Sequence, residues 1–375
     1  MTQRVLIIGG YGNFGRFIAK TLAKESNIQI IIAGRSLDKA KAMADAIGEN
    51  TEVHNVVEAV SMDITRNLSK SLAAVKPSVV VHTSGPFQYQ AYDVAKACIA
   101  QGAHYIDLAD GREFVAGISK LNSIAKAKGL LLISGASSVP CLTSALIDDY
   151  KPAFATLELL DYGITTAQKT TRGLATTAAI LGYTGKAFTT LLAGKVSKVF
   201  GWQGLRARQY QGLGWRLLGH CDVPDLALFP QRYPSVKTIR FYAGLEIPFI
   251  HITLWLLSWL VRVGVVRSLQ PAAPLLLRLS FLFDWFGTAN SGFHLELKGK
   301  DERGKEKTIL FELIAGSGDG PYIPCMPAIL MTKKIINKTV SETGAYPCMG
   351  FISKDEYLGA LKGLDISWHV TEKIE

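Results

Sequence analysis

The stretch that most constrains this chain is "VLIIGGYGNFGRFIAKTL", from Val5 to Leu22. An apolar run of strand character ends in glycines, and a helical pattern follows at once. Gly10-Tyr11-Gly12-Asn13-Phe14-Gly15 fits G-x-G-x-x-G. The spacing gains physical meaning from its place between strand and helix. Gly10 permits the tight turn, Gly12 lets a pyrophosphate approach the backbone, and Gly15 lets helix and strand pack closely. The helix then starts with free N–H groups and the positive end of its dipole beside the turn, which is where a phosphate is held. A dinucleotide site is the expectation.

The segments that follow repeat the same alternation. Strand-like runs occupy Val5–Ile8, Ile28–Ala33, Val56–Met62, Val79–Thr83, His104–Leu108 and Leu130–Ser134. Helix-like runs fall between them, at Asn13–Lys24, Ser36–Ile47, Asn67–Val75, Tyr92–Gln101 and Glu113–Lys128. Short apolar strands, each followed by a helix, make a parallel sheet covered on both faces. After Pro140 the texture changes. "TLELLDYGITTA" and "KTIRFYAGLE" read as strands, and "FHLELKG" and "KTILFELIAG" flank the charged turn "KDERGKE" as an antiparallel hairpin. In that hairpin His294, Glu296 and Lys298 fall on the wet face. The length of 375 residues exceeds one ordinary core. The fold class expected is α/β: a Rossmann doubly wound parallel sheet over 1–140, then an α+β domain on a mixed or antiparallel sheet over 141–320. Residues 321–375 form a third segment with a helix-like "AILMTKKIIN".

Composition narrows the function classes. Hydrophobic residues make up 48% and charged ones 19%, which describes a globular chain. The formal charge is +10, yet the Lys and Arg residues are scattered, with no basic run interleaved with aromatics. The excess reads as attraction to an anionic ligand or membrane surface and not as a nucleic-acid footprint. Five cysteines without C-x-x-C spacing exclude a disulfide framework or zinc knuckle and fit a reducing compartment. No metal is expected: His220, Cys221, Asp222 and Asp225 match no zinc spacing, and Pro224 marks a turn. The first strand begins with no basic and apolar leader before it, so no signal peptide is expected. The cytoplasm, including the periphery of the inner membrane, is the expected location.

The second strand ends in "IIAGRS". A site that prefers NAD places a carboxylate there to bond the ribose 2′-hydroxyl. Here the tip carries Arg35 and Ser36, with Lys39 one turn on. A guanidinium bonds a 2′-phosphate in a forked geometry, so NADP(H) is the expected cofactor. Asp63, past the third strand, either borders the adenine or caps the next helix. Ser84, Gly85, Pro86 and Phe87 follow strand four, where loops line a cofactor crevice.

Two stretches carry a family resemblance. They are "HTSGPFQYQAYDVAKACIAQGAHYIDLADGREFV" and "SGASSVPCLTSAL", together with the glycine motif and the Arg-tipped second strand. In these the chain resembles the saccharopine dehydrogenase-like NADP-binding oxidoreductases over its first 150 residues. "GHCDVPDLALFPQRYPSVKTIRFYAGLE" and "SGDGPYIPCMPAILMTKK" look like a bacterial branch of that family. The resemblance implies a substrate domain after the Rossmann domain, a carboxyl-terminal segment that returns to the first domain, and hydride transfer at an interdomain cleft. It implies that Gly10, Gly12, Asn13, Phe14, Gly15 and Arg35 hold the adenine half of the cofactor, and that Ser84 to Phe87 lie along the nicotinamide half.

Hydride transfer needs a proton donor with a suitable pKa. Tyr89 lies in the loop after strand four, and Asp107 ends strand five on the same face as Tyr105. These two are the catalytic candidates. The saccharopine reaction handles several carboxylates, for which Arg172, Arg206, Arg208 and Arg232 are available without forming a readable clamp. The run from Ile247 to Phe283 fits such a substrate less well, since its only charges are Arg262, Arg267 and Arg278. Its longest uncharged piece, Ile247–Val261, has 15 residues, short of the roughly 20 that span a bilayer. The run is either a buried hairpin or dimer interface, or an interfacial element in peripheral membrane contact. The reading is an NADP(H)-dependent oxidoreductase, a homo-oligomer, acting on a C=N, C=O or activated C=C bond of a small or lipid-like molecule. Its rivals are a membrane-associated, enoyl-reductase-like enzyme and a non-catalytic NADP-binding regulator.

Overall fold

The structure, a computed structural model, describes residues 2–375 and divides into two compact units. One runs to Ala145 and resumes over Tyr322–Ala360; the other takes Leu146–Pro321 and Leu361–Glu375. The first unit opens with β1 (Gln3–Ile8), α1 (Gly15–Leu22), β2 (Ile28–Gly34), α2 (Leu37–Gly48), β3 (Glu58–Ser61) and α3 (Leu68–Val75). It continues with β4 (Val79–His82), α4 (Asp93–Gln101), β5 (His104–Asp107), α5 (Arg112–Ala116), α6 (Asn122–Ala127) and β6 (Leu131–Ser134). The helix read over Glu113–Lys128 is broken: a 3₁₀ turn at Gly117–Leu121 separates α5 from α6. After β6, α7 (Thr143–Tyr150) leads onward.

These strands pair in parallel in the order β6-β5-β4-β1-β2-β3. Val5, Leu6, Ile7 and Ile8 are buried without alternation, because helices cover both faces of the sheet. Each fully buried side chain of this kind contributes about 1.5–3 kcal/mol over leaving it in water. The order runs outward in opposite directions from β1, so the carboxyl ends of β1 and β4 border the crevice where such sheets bind ligands.

The second unit contains β7 (Thr156–Thr166), α8 (Leu174–Tyr183), β8 (Ala187–Leu192), β9 (Lys195–Phe200), β10 (Arg206–Tyr210) and β11 (Gly214–His220). Then come α9 (Asp225–Arg232), β12 (Thr238–Leu245), α10 (Pro248–Arg262), α11 (Ala273–Phe281), β13 (Ser291–Lys300) and β14 (Glu306–Ala315). The chain returns to the first unit with α12 (Tyr322–Ile336), β15 (Gly344–Pro347) and α13 (Lys354–Ala360). Strand β15 extends the first sheet beside β6, and α12 packs on α1, where Phe17 and Tyr322 meet edge to face at 4.6 Å. The last strand, β16 (Ile366–Ile374), belongs instead to the second unit. This corrects the sequence reading, which kept all of 321–375 together. The tail alternates too weakly in polarity to show which sheet it joins, but β14 offers it an open edge.

The second sheet is mixed, in the order β10-β11-β12-β7-β13-β14-β16, with only β12 and β7 parallel among its pairs. One face is apolar. Tyr162, Phe241, Phe293, Leu295 and Phe311 lie there, and Phe229 of α9 packs on Tyr162. The other face carries Asp161, His294, Glu296 and Glu312, brought side by side by the strand register. The β10–β11 hairpin folds over this face: Arg206 Nη1 donates to Asp161 at 2.8 Å, and Leu213 reaches Gly292. His294 is therefore fully buried, not on a wet face as its alternation predicts.

The run from Ile247 forms α10 and α11, a helical pair that is only partly buried, with about half of its large apolar side chains exposed. Among the described residues, no helix is long and apolar enough to cross a membrane.

Strand β16 covers the full length of β14 through nine register pairs. A chain ended after Gly363 should leave that edge bare, lower the unfolding temperature and aggregate as concentration rises in light scattering. A truncated chain that melts like the full one would show that β16 adds nothing.

Candidate functional site

The glycine turn is built by close approach. A Cβ on Gly15 would lie 2.3 Å from the Gly9 carbonyl oxygen and 2.8 Å from Gly10 Cα. A Cβ on Gly12 would lie 2.9 Å from the same oxygen, which also accepts the Gly12 N–H at 2.8 Å. Only glycine lets α1 start this near the end of β1. Among the described residues, the N–H groups of Asn13, Phe14 and Gly15 donate to no main-chain carbonyl. They form a row of bare donors at the positive end of α1. Gly9, at φ +81°, sits against Thr83 and Ser84, so the loop after β4 closes on the turn.

The tip of β2 completes an anion-binding edge. The Tyr11 ring lies across Gly34, and its hydroxyl accepts the Ser36 N–H at 3.1 Å. The Ser36 hydroxyl in turn accepts the Lys39 N–H and caps α2. Arg35 is exposed at the start of that helix. Asp63 spends its carboxylate locally, accepting the Thr65 N–H at 2.9 Å and the Thr65 hydroxyl at 2.8 Å. Those bonds, helped by the nearby charges of Arg66 and Arg35, hold its pKa below the usual carboxylate value, and the side chain caps the local turn. These residues fit a dinucleotide with a 2′-phosphate: a cradle that any side chain would fill, bare N–H donors, and a guanidinium one strand away.

Beyond β4 the loop Ser84–Phe87 is tied from within. The Gln90 side-chain amide donates to the carbonyls of Ser84 at 2.7 Å and Pro86 at 3.0 Å. Phe87 is buried between His82 and Phe114. It anchors the loop, leaving Ser84, Gly85 and Pro86 at the surface of the crevice. Tyr89 is 70% exposed in the same loop.

Asp107 stands elsewhere than the sequence reading supposes. It is fully buried, and its Oδ1 accepts the N–H groups of Gly135 at 2.8 Å and Ala109 at 2.9 Å and the Ser134 hydroxyl at 3.0 Å. It staples the carboxyl end of β5 to that of β6. Burial pushes its pKa up to about 6, against hydrogen bonds from Gly135, Ala109, Ser134 and Tyr105 that favour the charged form. Asp107 is thus a positioning carboxylate, and of the two candidates Tyr89 alone faces solvent. His82, which sequence reasoning passed over, pairs in register with Asp107 and lies 3.3 Å from the Tyr105 hydroxyl. Burial lowers its pKa to about 3, so it stays neutral. Strand period two, counted back across β4, is the signal that finds it.

The second unit holds a polar cluster that sequence reasoning also missed. Tyr210 Oη is 2.7 Å from His294 Nδ1, and His294 Nε2 is 3.7 Å from Asp161 Oδ1. Burial alone would raise the Asp161 carboxyl, but the nearby His294 ring and the hydrogen bond and charge of Arg206 outweigh it and bring the pKa down to about 2. The arginines offered for substrate carboxylates are engaged here or nearby. Arg206 pairs with Asp161, Arg208 with Glu296 and Glu312, Arg172 with Asp284, and Arg232 with Asp148. No charge alternation along the sequence reveals these partners, because each is distant in the chain.

Two outcomes follow from this geometry. Gly15→Ala should cost about 2–3 kcal/mol in urea unfolding, since neither Gly9 nor Gly10 backbone can yield without moving β1; a neutral effect would mean the turn is looser than described. For Asp107, the folded state holds its proton up to about pH 6 and the unfolded state releases it near pH 4, so this group's contribution to stability falls as pH rises through that window. Relative to wild type, Asp107→Asn should gain about 3 kcal/mol between pH 4 and pH 7. A difference that stays constant with pH would show that the carboxyl is not strained by burial.

Comparison with known proteins points to the same kind of domain. The sequence profile of the saccharopine dehydrogenase NADP binding domain matches residues 5–133. A rat saccharopine dehydrogenase-like oxidoreductase is 28% identical over 151 residues, 36% of this chain and 35% of that protein. A Mycobacterium tuberculosis protein named as a trans-acting enoyl reductase is 30% identical over 105 residues, 28% of this chain and 24% of its own. The matched stretch therefore spans about a third or less of these curated relatives. In fold, the chain is similar to Saccharomyces cerevisiae saccharopine dehydrogenase (L-Glu forming), with TM-score 0.69 at 15% identity over 98% of this chain and 100% of that one. An amine dehydrogenase from Mycobacterium smegmatis gives TM-score 0.52 at 11% identity over 92% and 94%. Residues 5–133 thus match the saccharopine dehydrogenase NADP binding domain, and over that stretch the chain is similar to saccharopine dehydrogenase-like oxidoreductases.

Proposed function

We propose that this chain is an NADPH-dependent reductase of a C=O or activated C=C bond in a substrate that carries few carboxylates. The observation behind this choice is the pairing of Arg172, Arg206, Arg208 and Arg232 with internal acids. A guanidinium already neutralised by a neighbour has little left to offer a substrate carboxylate, and breaking a half-buried pair leaves the acid uncompensated. Reduction of a C=N bond is the second reading, favoured only by the likeness in fold to a saccharopine dehydrogenase and an amine dehydrogenase.

The roles follow from position. The N–H groups of Asn13, Phe14 and Gly15 hold the diphosphate, and Arg35, Ser36 and Lys39 hold the 2′-phosphate. Bound NADPH supplies the hydride. Tyr89 supplies the proton that balances it, to oxygen for a carbonyl or to the α-carbon for an activated alkene. The Ser84–Pro86 backbone, held by Gln90, shapes the crevice beside the turn. Asp107 keeps the β5 and β6 ends in place without meeting the ligand.

Three measurements test this. Arg35→Ala should weaken NADPH binding about 10–100-fold while leaving NADH binding within about twofold; equal loss for both would remove the 2′-phosphate from Arg35. Tyr89→Phe should lower kcat about 100-fold with NADPH affinity unchanged, as loss of a general acid does. With NADPH absorbance followed, keto and enoyl thioesters should be reduced and a dicarboxylic imine should not. Turnover of the imine alone would reverse the substrate assignment, and binding of NADPH without turnover of any acceptor would favour a regulatory role.

A further inference from the structure

Helix α10 is inside out. Its buried stripe is His251, Leu254, Ser258 and Val261, the spacing of one helix face. The opposite stripe, Ile252, Leu256, Trp259 and Leu260, is exposed, with Val263 just past the helix end. An imidazole and a hydroxyl face the protein while large apolar groups face outward. Helix α11 continues the pattern: Ala273 is buried, and Leu275 and Leu279 are exposed. The turn after it adds Leu282, Trp285 and Phe286, with Trp285 88% exposed. An ordinary surface helix carries charged residues on its outer face, and α10 carries none before Arg262. A continuous apolar face of this kind marks a surface that something covers.

The charges indicate what covers it. From Ile247 to Phe286 the cations are Arg262, Arg267 and Arg278, and the one acid, Asp284, is held by Arg172. A cavity of about 230 Å³ at the carboxyl end of α10, lined in part by Lys198 and Arg262, adds one further cation, Lys198, beside the same surface. In a two-fold contact with a second copy, the face would bring its three arginines and the three of the partner together with no acid on the face left free to pair them. Like charges facing each other oppose such a contact. An anionic lipid surface attracts the same patch. Exposed indoles, as at Trp259 and Trp285, favour the boundary between hydrocarbon and water. The element lies flat: the 15 residues of α10 extend about 22 Å, short of the ~30 Å hydrocarbon layer.

We propose that the outward face of α10, α11 and the following turn lies in the interfacial layer of an anionic phospholipid bilayer. The apolar side chains enter the acyl boundary and the arginines meet the headgroup phosphates. This docking is independent of which bond the first unit reduces.

The test is sedimentation of the full chain with vesicles of equal parts phosphatidylglycerol and phosphatidylcholine, and with phosphatidylcholine alone. Binding to the anionic vesicles should exceed binding to the neutral ones at least about tenfold at low salt and weaken as salt screens the headgroups. Leu256→Asp combined with Phe286→Asp should reduce it at least about tenfold with an unchanged unfolding temperature, because both side chains are already in water. Arg267→Glu with Arg278→Glu should abolish the preference for phosphatidylglycerol. Protein that stays in the supernatant at low salt, or a Leu256→Asp/Phe286→Asp variant that pellets like wild type, overturns the proposal. A dimer split by Leu256→Asp, without vesicle binding, would assign the face to a second copy instead.

Discussion

The approach of Gly15 to the Gly9 carbonyl governs the first unit. It lets α1 begin within van der Waals contact of the end of β1. The amides of Asn13, Phe14 and Gly15 are then left without a main-chain acceptor among the described residues. Any side chain at Gly15 would push the helix away and spoil both the packing and the anion site. The rest of the site is arranged around that contact. Strand β4 pairs with β1 and delivers Thr83 and Ser84 against Gly9, while β2 pairs on the other side and delivers Arg35. The crevice is thus a consequence of strand order as much as of the motif.

What the sequence made legible is local. Short apolar strands alternating with helices announce a parallel sheet, and six of its strands fall where the pattern puts them. The glycine spacing and Arg35 can be read without a structure, since each acts through its own backbone position or its place at a strand tip. What failed to show depends on contacts between distant segments. His294 sits at a polar place in an alternating strand, yet a hairpin 80 residues earlier covers it and supplies Tyr210 as its partner. Asp107 has the look of a catalytic acid at a strand end, but its role is set by Gly135 and Ser134, a full strand away. The last strand crosses to the second sheet because β14 has a free edge, a fact no local pattern encodes.

The second unit differs from the first in how it handles charge. Its acids face arginines on the covered face of the sheet, Arg206 against Asp161 and Arg208 between Glu296 and Glu312. Its outward helices are the reverse, with apolar groups and unbalanced arginines at the surface. The proposed bilayer contact would account for an element whose outer face carries large apolar groups. An apolar substrate arriving from that bilayer would have no need of a carboxylate clamp, which links the paired arginines to the exposed helices.

The central claim is that the first unit holds a dinucleotide with a 2′-phosphate on the turn between β1 and α1. Calorimetric titration of the full chain with NADPH, repeated in the presence of 2′,5′-ADP and of 5′-AMP, tests it most directly. The account predicts one NADPH per chain, displaced readily by 2′,5′-ADP and poorly by 5′-AMP. Absence of binding heat at every temperature tried, or equal displacement by both nucleotides, would contradict it.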